Sequence, residues 1–284
     1  METRLLNYVE PIRRARGDFL YTYKGNRLVD LWKQGGRAIL GHGQSHQLTI
    51  LKNTLARGVW MSAPHPGMGH LEKALKRLFP AKERRIYQGL HRAINHIESL
   101  LGRQIRWETI PDPASPWERP EWQGLQNRIS LWRPWVSTTG QQDQEQDILI
   151  PLLPFAWPES VAVLVLSPSM ASQVPSSDLL SPVFAEYAQR AVYDLIKTQQ
   201  EAPVLRVSKV LRSLSGSSIW KGSGLYWYAD PRLSAEKYEK LFLNFLQEGF
   251  LLPPDPADPL ILPWSLSPGL EVKLAKLLSF TDEA

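Results

Sequence analysis

The chain of 284 residues contains no cysteine, which excludes disulfides and thiolate metal sites and fits a reducing compartment. No apolar run approaches the roughly 18 residues that span a bilayer, and the opening METRLLNYVEPIRRARGD has no apolar core of signal-peptide type. Together these absences predict a cytoplasmic protein with no membrane partner. A Walker loop, a G-x-S-x-G elbow and a dinucleotide fingerprint are all missing. So are zinc-finger and RNA-recognition patterns, and no nucleic-acid partner is expected. His65 falls in a Pro-rich loop, and His91 and His96 are five apart, which on a helix leaves them off a common face. No metal site is expected.

What is present describes a folded protein. The hydrophobic fraction is 43% and the charged fraction 21%, enough for one large or two modest domains. The net charge is +5. Arg13, Arg14 and Arg16 cluster near the start, and Arg77, Lys82, Arg84 and Arg85 later. Such clusters can bind phosphate or nucleic acid; acids such as Glu72 and Glu83 interrupt them, and a solvated face is the reading adopted. Tryptophan is abundant at 11 residues, six of them from Trp107 to Trp157 in a Pro-rich section. That density builds either a partner surface or rings packed over a small sheet.

Residues 17–46, GDFLYTYKGNRLVDLWKQGGRAILGHGQSH, organise the rest. Two strands, 19–23 and 27–32, flank Gly25-Asn26, which tolerate positive φ, so a β-hairpin is predicted. Residues 1–16 read as an amphipathic lead-in. A helix is predicted over 46–58, with Leu48, Leu51 and Leu55 at helical spacing and Gly58 ending it. A helix bearing Leu71, Leu75 and Leu78-Phe79 stops at Pro80, a strand follows at 85–87, and a helix at 89–101 ends at Gly102. Strands are predicted at 105–110, 129–136 and 147–153, with an exposed polar turn over 141–146. The run Val161 to Leu166 reads as a strand buried on both faces of a parallel sheet. Ser181-Pro182 opens a helix to about residue 197. A helix holding Lys209 ends at Gly216; Ser234 opens another, with Tyr238, Leu241, Phe242 and Phe245 inside; and Ser267-Pro268 opens the last.

The order of these parts resembles the class III aminotransferases of the glutamate-1-semialdehyde aminotransferase type. The residues that carry the likeness are Gly25 and Asp30 of a "G-x-x-x-x-D" strand end and Ile39-Leu40-Gly41-His42 of an "I-L-G-H" turn. Further on, LEKALKRLFPAKERRIYQGLHRAINHIESLLG keeps the family's helix, strand, phosphate loop and helix, and the C-terminal helix, Gly249 and Pro253 match another element. The resemblance implies a fold type I pyridoxal-phosphate enzyme and a homodimer. It implies an α/β fold: a three-layer α/β/α core in contracted form, with a small α+β domain built from both chain ends. The boundaries expected are 1–60 and 200–284 for the small domain and 61–199 for the large one, with a Trp/Pro-rich insert at about 103–160.

The same resemblance places the cofactor phosphate against Gly89, His91 and Arg92, where the family's loop hydroxyls are replaced. The family's "Asp-Glu" strand end and Schiff-base lysine are not visible. Lys209, in Ser208-Lys209-Val210-Leu211, is a fallback for that lysine, read here as a solvated helical residue. The expectation is a degenerate aminotransferase-like protein without transaminase activity or bound cofactor, acting as a dimeric scaffold or binding protein. The alternatives are an enzyme that still uses pyridoxal phosphate through a relocated lysine, and a non-catalytic subunit paired with an intact aminotransferase.

Overall fold

Glycine and proline set most element boundaries. The computed structural model describes residues 2–125, 128–136, 146–155, 157, 159–201 and 203–280. The polar turn predicted over 141–146 lies outside them except for its last residue. In chain order the elements are α1 (Glu2–Leu6), β1 (Ile12–Arg16), β2 (Phe19–Thr22), β3 (Arg27–Asp30), α2 (Ser45–Ala56), α3 (Pro66–Leu78), β4 (Glu83–Tyr87) and α4 (Leu90–Leu101). Next come β5 (Ile129–Trp132), β6 (Ile148–Pro151), β7 (Ala162–Leu166), a single turn α5 (Pro168–Ala171), α6 (Pro182–Gln200) and α7 (Ser208–Gly216). The chain ends with β8 (Trp220–Ser223), β9 (Tyr226–Ala229), α8 (Ala235–Gln247), β10 (Phe250–Leu251), β11 (Leu260–Ile261) and α9 (Pro268–Phe280).

Contacts divide the chain into two compact units. A terminal unit joins Met1–Gly43, Ala114–Glu118 and Ala202–Ala284; a central unit joins Gln44–Pro113 and Arg119–Glu201.

In the terminal unit the predicted hairpin forms, with Phe19 opposite Val29 and Tyr21 opposite Arg27. The lead-in is not merely amphipathic: residues 12–16 form β1, antiparallel to β2. Its arginines make it a charged edge strand of the kind that discourages edge-to-edge pairing, and Arg14 lies 4.5 Å over the Tyr21 ring. The sheet runs β1-β2-β3-β10, with the two ends of the chain meeting where β10 pairs parallel to β3. A second sheet runs β11-β9-β8. The Ser234 side chain caps α8 by accepting from the Lys237 amide, and Tyr238, Phe242 and Phe245 are buried beneath it.

The central unit holds the sheet β4-β7-β6-β5. Every residue of β7 is buried, but the parallel pairing expected of it does not occur. It is antiparallel to both β4 and β6. Burial on both faces is what makes a strand continuously apolar, whichever way its neighbours run. Leu164 and Leu166 face a core shared with Ile97 of α4, Ile148 and Ile150. The alternate residues Val163 and Val165 are buried as well. Helices therefore cover both faces, giving the three-layer α/β/α arrangement.

The strand predicted at 105–110 is absent. Trp107–Thr109 is a 3-10 turn, held where the Thr109 hydroxyl accepts from the Arg106 amide and donates to its carbonyl. The two following strands are shorter than predicted, and the first stops ahead of Pro134, which cannot donate to a ladder. Two tryptophans of the Pro-rich section pack inward, Trp132 meeting Phe79 edge-on at 4.9 Å and Trp122 being buried, while Trp157 is 40% exposed. No helix among the described residues is long and apolar enough to cross a membrane.

Candidate functional site

Strand directions pick out one edge of the central sheet. β7 is antiparallel to β4 and to β6, and β5 is parallel to β6, so β4, β5 and β6 run the same way. Their C-terminal ends, at Tyr87, Trp132 and Pro151, lie on one edge, where α/β sheets bind ligands.

After β4 the chain turns at Gly89, with φ +86, into α4. A Cβ here would sit 2.4 Å from the Glu159 carbonyl oxygen, so only glycine fits. The Gln88 amide donates to Asp178 Oδ2 at 2.9 Å, and Arg92 Nε meets the same oxygen at 2.8 Å. The Gln88 side chain donates to the Leu179 carbonyl at 2.8 Å and to Ser62 Oγ at 3.0 Å. The segment bearing Asp178 runs along the free edge of β4: the Asp178 amide donates to Ile86 O, the Ile86 amide to Ser177 Oγ, and the Tyr87 hydroxyl to Pro175 O. Burial drives the Tyr87 phenol up to about 12, with Asp178 adding to the rise while Arg85 and Arg92 oppose it. His91 is exposed. After β5, buried Arg133 donates to Asp112 at 2.8 Å. After β6 come Leu152 and Leu153, both buried.

The structure thus brings Gly89 and Arg92 together at this edge, with Asp178, a partner 86 residues beyond Arg92 that no local signal in the sequence announces. Lys209 belongs to the terminal unit. It is exposed on the first turn of α7, where its amide donates to Glu271 Oε1 at 2.8 Å.

A group of the pyridoxal-phosphate type needs an amine to hold its aldehyde and donors for its phosphate. No lysine follows β4, β5 or β6 before the next element. The guanidinium suited to the phosphate is already matched to a carboxylate, and a carbonyl oxygen crowds Gly89. These residues do not fit that group. Among the described residues no cluster of three or more metal-ligating side chains occurs either.

A second charged cluster lies in the terminal unit. Asp30, which is buried, accepts through Oδ1 from the Trp32 and Lys33 amides at 3.0 and 2.8 Å, and Oδ2 meets His42 Nε2 at 2.7 Å. Gly17 and His42 exchange both backbone hydrogen bonds. Lys33 is 1% exposed and ion-paired with Asp18. It starts a left-handed turn, with φ 48 at Lys33 and 51 at Gln34. The structure therefore joins Asp30 and His42, two of the motif residues, while Lys33 and Asp18 went unread. The Gly35-Gly36 pair behind Lys33 is the only cue that the bend departs from ordinary backbone.

No family model matches the chain. An uncharacterized protein of Treponema pallidum is 28% identical over 296 residues, covering 89% of this chain and 88% of that protein. The glutamate-1-semialdehyde 2,1-aminomutase of Thermus thermophilus is 36% identical over 67 residues, only 24% of this chain and 16% of the enzyme. Among solved structures, the ornithine delta-aminotransferase of Plasmodium falciparum superposes with a TM-score of 0.70 at 14% identity, over 99% of this chain and 98% of that one. The acetylornithine aminotransferase of Elizabethkingia anophelis gives 0.66 at 13% identity, over 99% and 98%. The fold is that of the aminotransferases, and the resemblance to class III members holds at that level.

Proposed function

We propose that this aminotransferase-fold chain does not transaminate and serves in the cytoplasm as a binding scaffold. One observation carries the reading: the ligand edge of the central sheet bears no amine, and Arg92, its cation nearest the α4 N-terminus, is held by the chain's own Asp178. Transamination needs a lysine that forms and releases a Schiff base, and an arginine already balanced by a carboxylate has less to offer a phosphate.

The test is the absorbance spectrum of the purified protein with added pyridoxal phosphate, before and after borohydride. The expected result is the spectrum of the free cofactor, with no label retained on the protein. A band that borohydride reduces and fixes to one lysine would overturn the reading. Peptide mapping would then decide between Lys209 and another amine.

A further inference from the structure

We propose that one face of the N-terminal hairpin sheet, the face of Arg14, Tyr21 and Arg27, binds single-stranded nucleic acid, with arginines on the phosphates and an exposed tyrosine ring against a base. The inference goes beyond the reading above and holds whether or not the chain transaminates.

The strand register builds this face. Arg14 of β1 stands opposite Tyr21 of β2, and Tyr21 stands opposite Arg27 of β3. Two residues along β1, Arg16 stands opposite Phe19. Residues two apart on a strand share a face, so these arginines and rings lie together. The contacts agree: Arg14 lies 4.5 Å over the Tyr21 ring and Arg27 lies 4.7 Å over the Phe19 ring. The Tyr23 amide donates to the Pro11 carbonyl at 3.0 Å. The alternation of β2 therefore carries on to Tyr23, which is 71% exposed. Leu20, Thr22 and Leu28, on the opposite face, are buried. Read along the chain, Arg14 and Arg16 look like part of a solvated run; only the register sets Arg27 and the rings beside them.

The charge on this face is not cancelled. Among the described residues no carboxylate pairs with Arg14, Arg16 or Arg27, and the acids nearby in the sequence are committed elsewhere, Glu10 to Lys24 at 3.3 Å and Asp18 to Lys33. A ring beneath a guanidinium restrains it without occupying its N–H donors, which leaves a fork matched to a phosphate. Arg92 differs, because its donors already meet Asp178. Arg27 also borders a cleft of about 470 Å³, with Tyr8, Asn26, Gln247 and the Lys273–Glu248 ion pair in its wall. That cleft can receive a base turned out of a strand. Phosphate alone would satisfy any basic surface. Rings set among arginines select a ligand that carries π-faces as well as phosphates. A duplex shields its bases, so a single strand is the occupant.

The experiment is fluorescence anisotropy of a labelled single strand of about twelve nucleotides, as RNA and as DNA, titrated with the full chain. The wild type is expected to bind at low salt. Its log affinity should fall against log salt with a slope of about −2, roughly 0.7 for each of three phosphates. Arg14→Gln with Arg27→Gln should weaken binding about tenfold or more and flatten the slope to about −0.7. Tyr23→Ala should weaken it about tenfold and leave the slope unchanged. Lys76→Gln with Arg77→Gln removes the same charge from exposed positions of α3, in the central unit, and should change neither. Every substituted side chain is exposed, so circular dichroism should stay the same. Failure to bind either strand overturns the proposal. So does an equal loss in the α3 variant, which would reduce the effect to net charge, and so does a Tyr23→Ala variant that binds like the wild type. Tighter binding of the duplex, or retention on phosphatidylserine vesicles in preference to the strand, overturns it as well. A reducible cofactor band in the borohydride test leaves it standing, so the two readings fail separately.

Discussion

The terminal and central units each hold a cluster built from the residues an active site would use. In the terminal unit a lysine, a histidine and two aspartates meet; in the central unit an arginine, an aspartate and a helix start do. The difference lies in burial and in backbone. The Lys33 side chain is 2% exposed and sits on a left-handed turn; the Arg92 side chain is 58% exposed and sits on a regular helix. The first cluster locks a bend that the backbone alone disfavours. The second pairs an exposed guanidinium with a carboxylate beside the start of α4. Residue type does not separate function from architecture in either case; what separates them is whether the chain already supplies each charge with its counterpart.

The largest effect is expected from breaking the first cluster. Lys33→Met removes a buried ammonium and leaves the partly exposed Asp18 without its partner, at a cost of about 3 kcal/mol, read by urea denaturation. Lys33→Gly loses the same pair but relaxes the positive φ, and should fall about 1 kcal/mol short of that loss. Equal stability of Lys33→Met and wild type would place this cluster with the second one and erase the contrast.

In the central unit the backbone outweighs the charges. Gly89→Ala puts a Cβ 2.4 Å from the Glu159 carbonyl at φ +86, and about 2 kcal/mol of destabilisation is expected. Asp178→Asn should cost under about 1 kcal/mol, because Arg92 is largely exposed and its pairing is screened by solvent. The same denaturation series checks both. A larger loss from Asp178→Asn than from Gly89→Ala would show the edge to be held together by charge.

How far the sequence could be read follows from the range of each interaction. The hairpin, the glycine stops at Gly58, Gly102 and Gly249, and the proline starts at Pro182 and Pro268 are local, and all were legible, whereas residues 66–68, which read as loop, form the first turn of α3 with the His65 side chain as its cap. Leu48, Leu51 and Leu55 marked a true face of α2 but not which side of it is inside, because Gln47 and Thr54 keep the same period one residue earlier. The apolar run of β7 reported burial and was silent on direction. The alternation of residues 105–110 was overridden by one hydroxyl, that of Thr109. Lys33 is the kind of residue that seldom takes a left-handed conformation, and nothing local places it there. The partners that decide the sheet edge, Asp178 and Glu159, lie far along the chain from Arg92 and Gly89, and pairing at that separation leaves no periodic trace.

The smallest effect sharpens the comparison from a third charged group, Glu186 of α6, whose carboxylate meets Thr54 of α2 and Arg57 just after it. Burial raises its pKa, but hydrogen bonds from Arg57 and Thr54 and the charges of Arg57 and His65 prevail, leaving it below the ordinary value of 4.5. A carboxylate depressed in the folded state binds its proton less readily there than in the unfolded chain. Its contribution is therefore complete above about pH 4.5 and is lost as the pH falls through the lower, folded value. The protection factors of the α2 amides, corrected for the intrinsic pH dependence of exchange, should hold down to that range and fall below it, with little change in β7. Glu186→Gln should give the lower protection already at neutral pH and remove the further loss of protection in acid. An acid response that survives this substitution would assign it to another group, and would mean that the polar underside of α2, unlike the Lys33 cluster, does not depend on its charge.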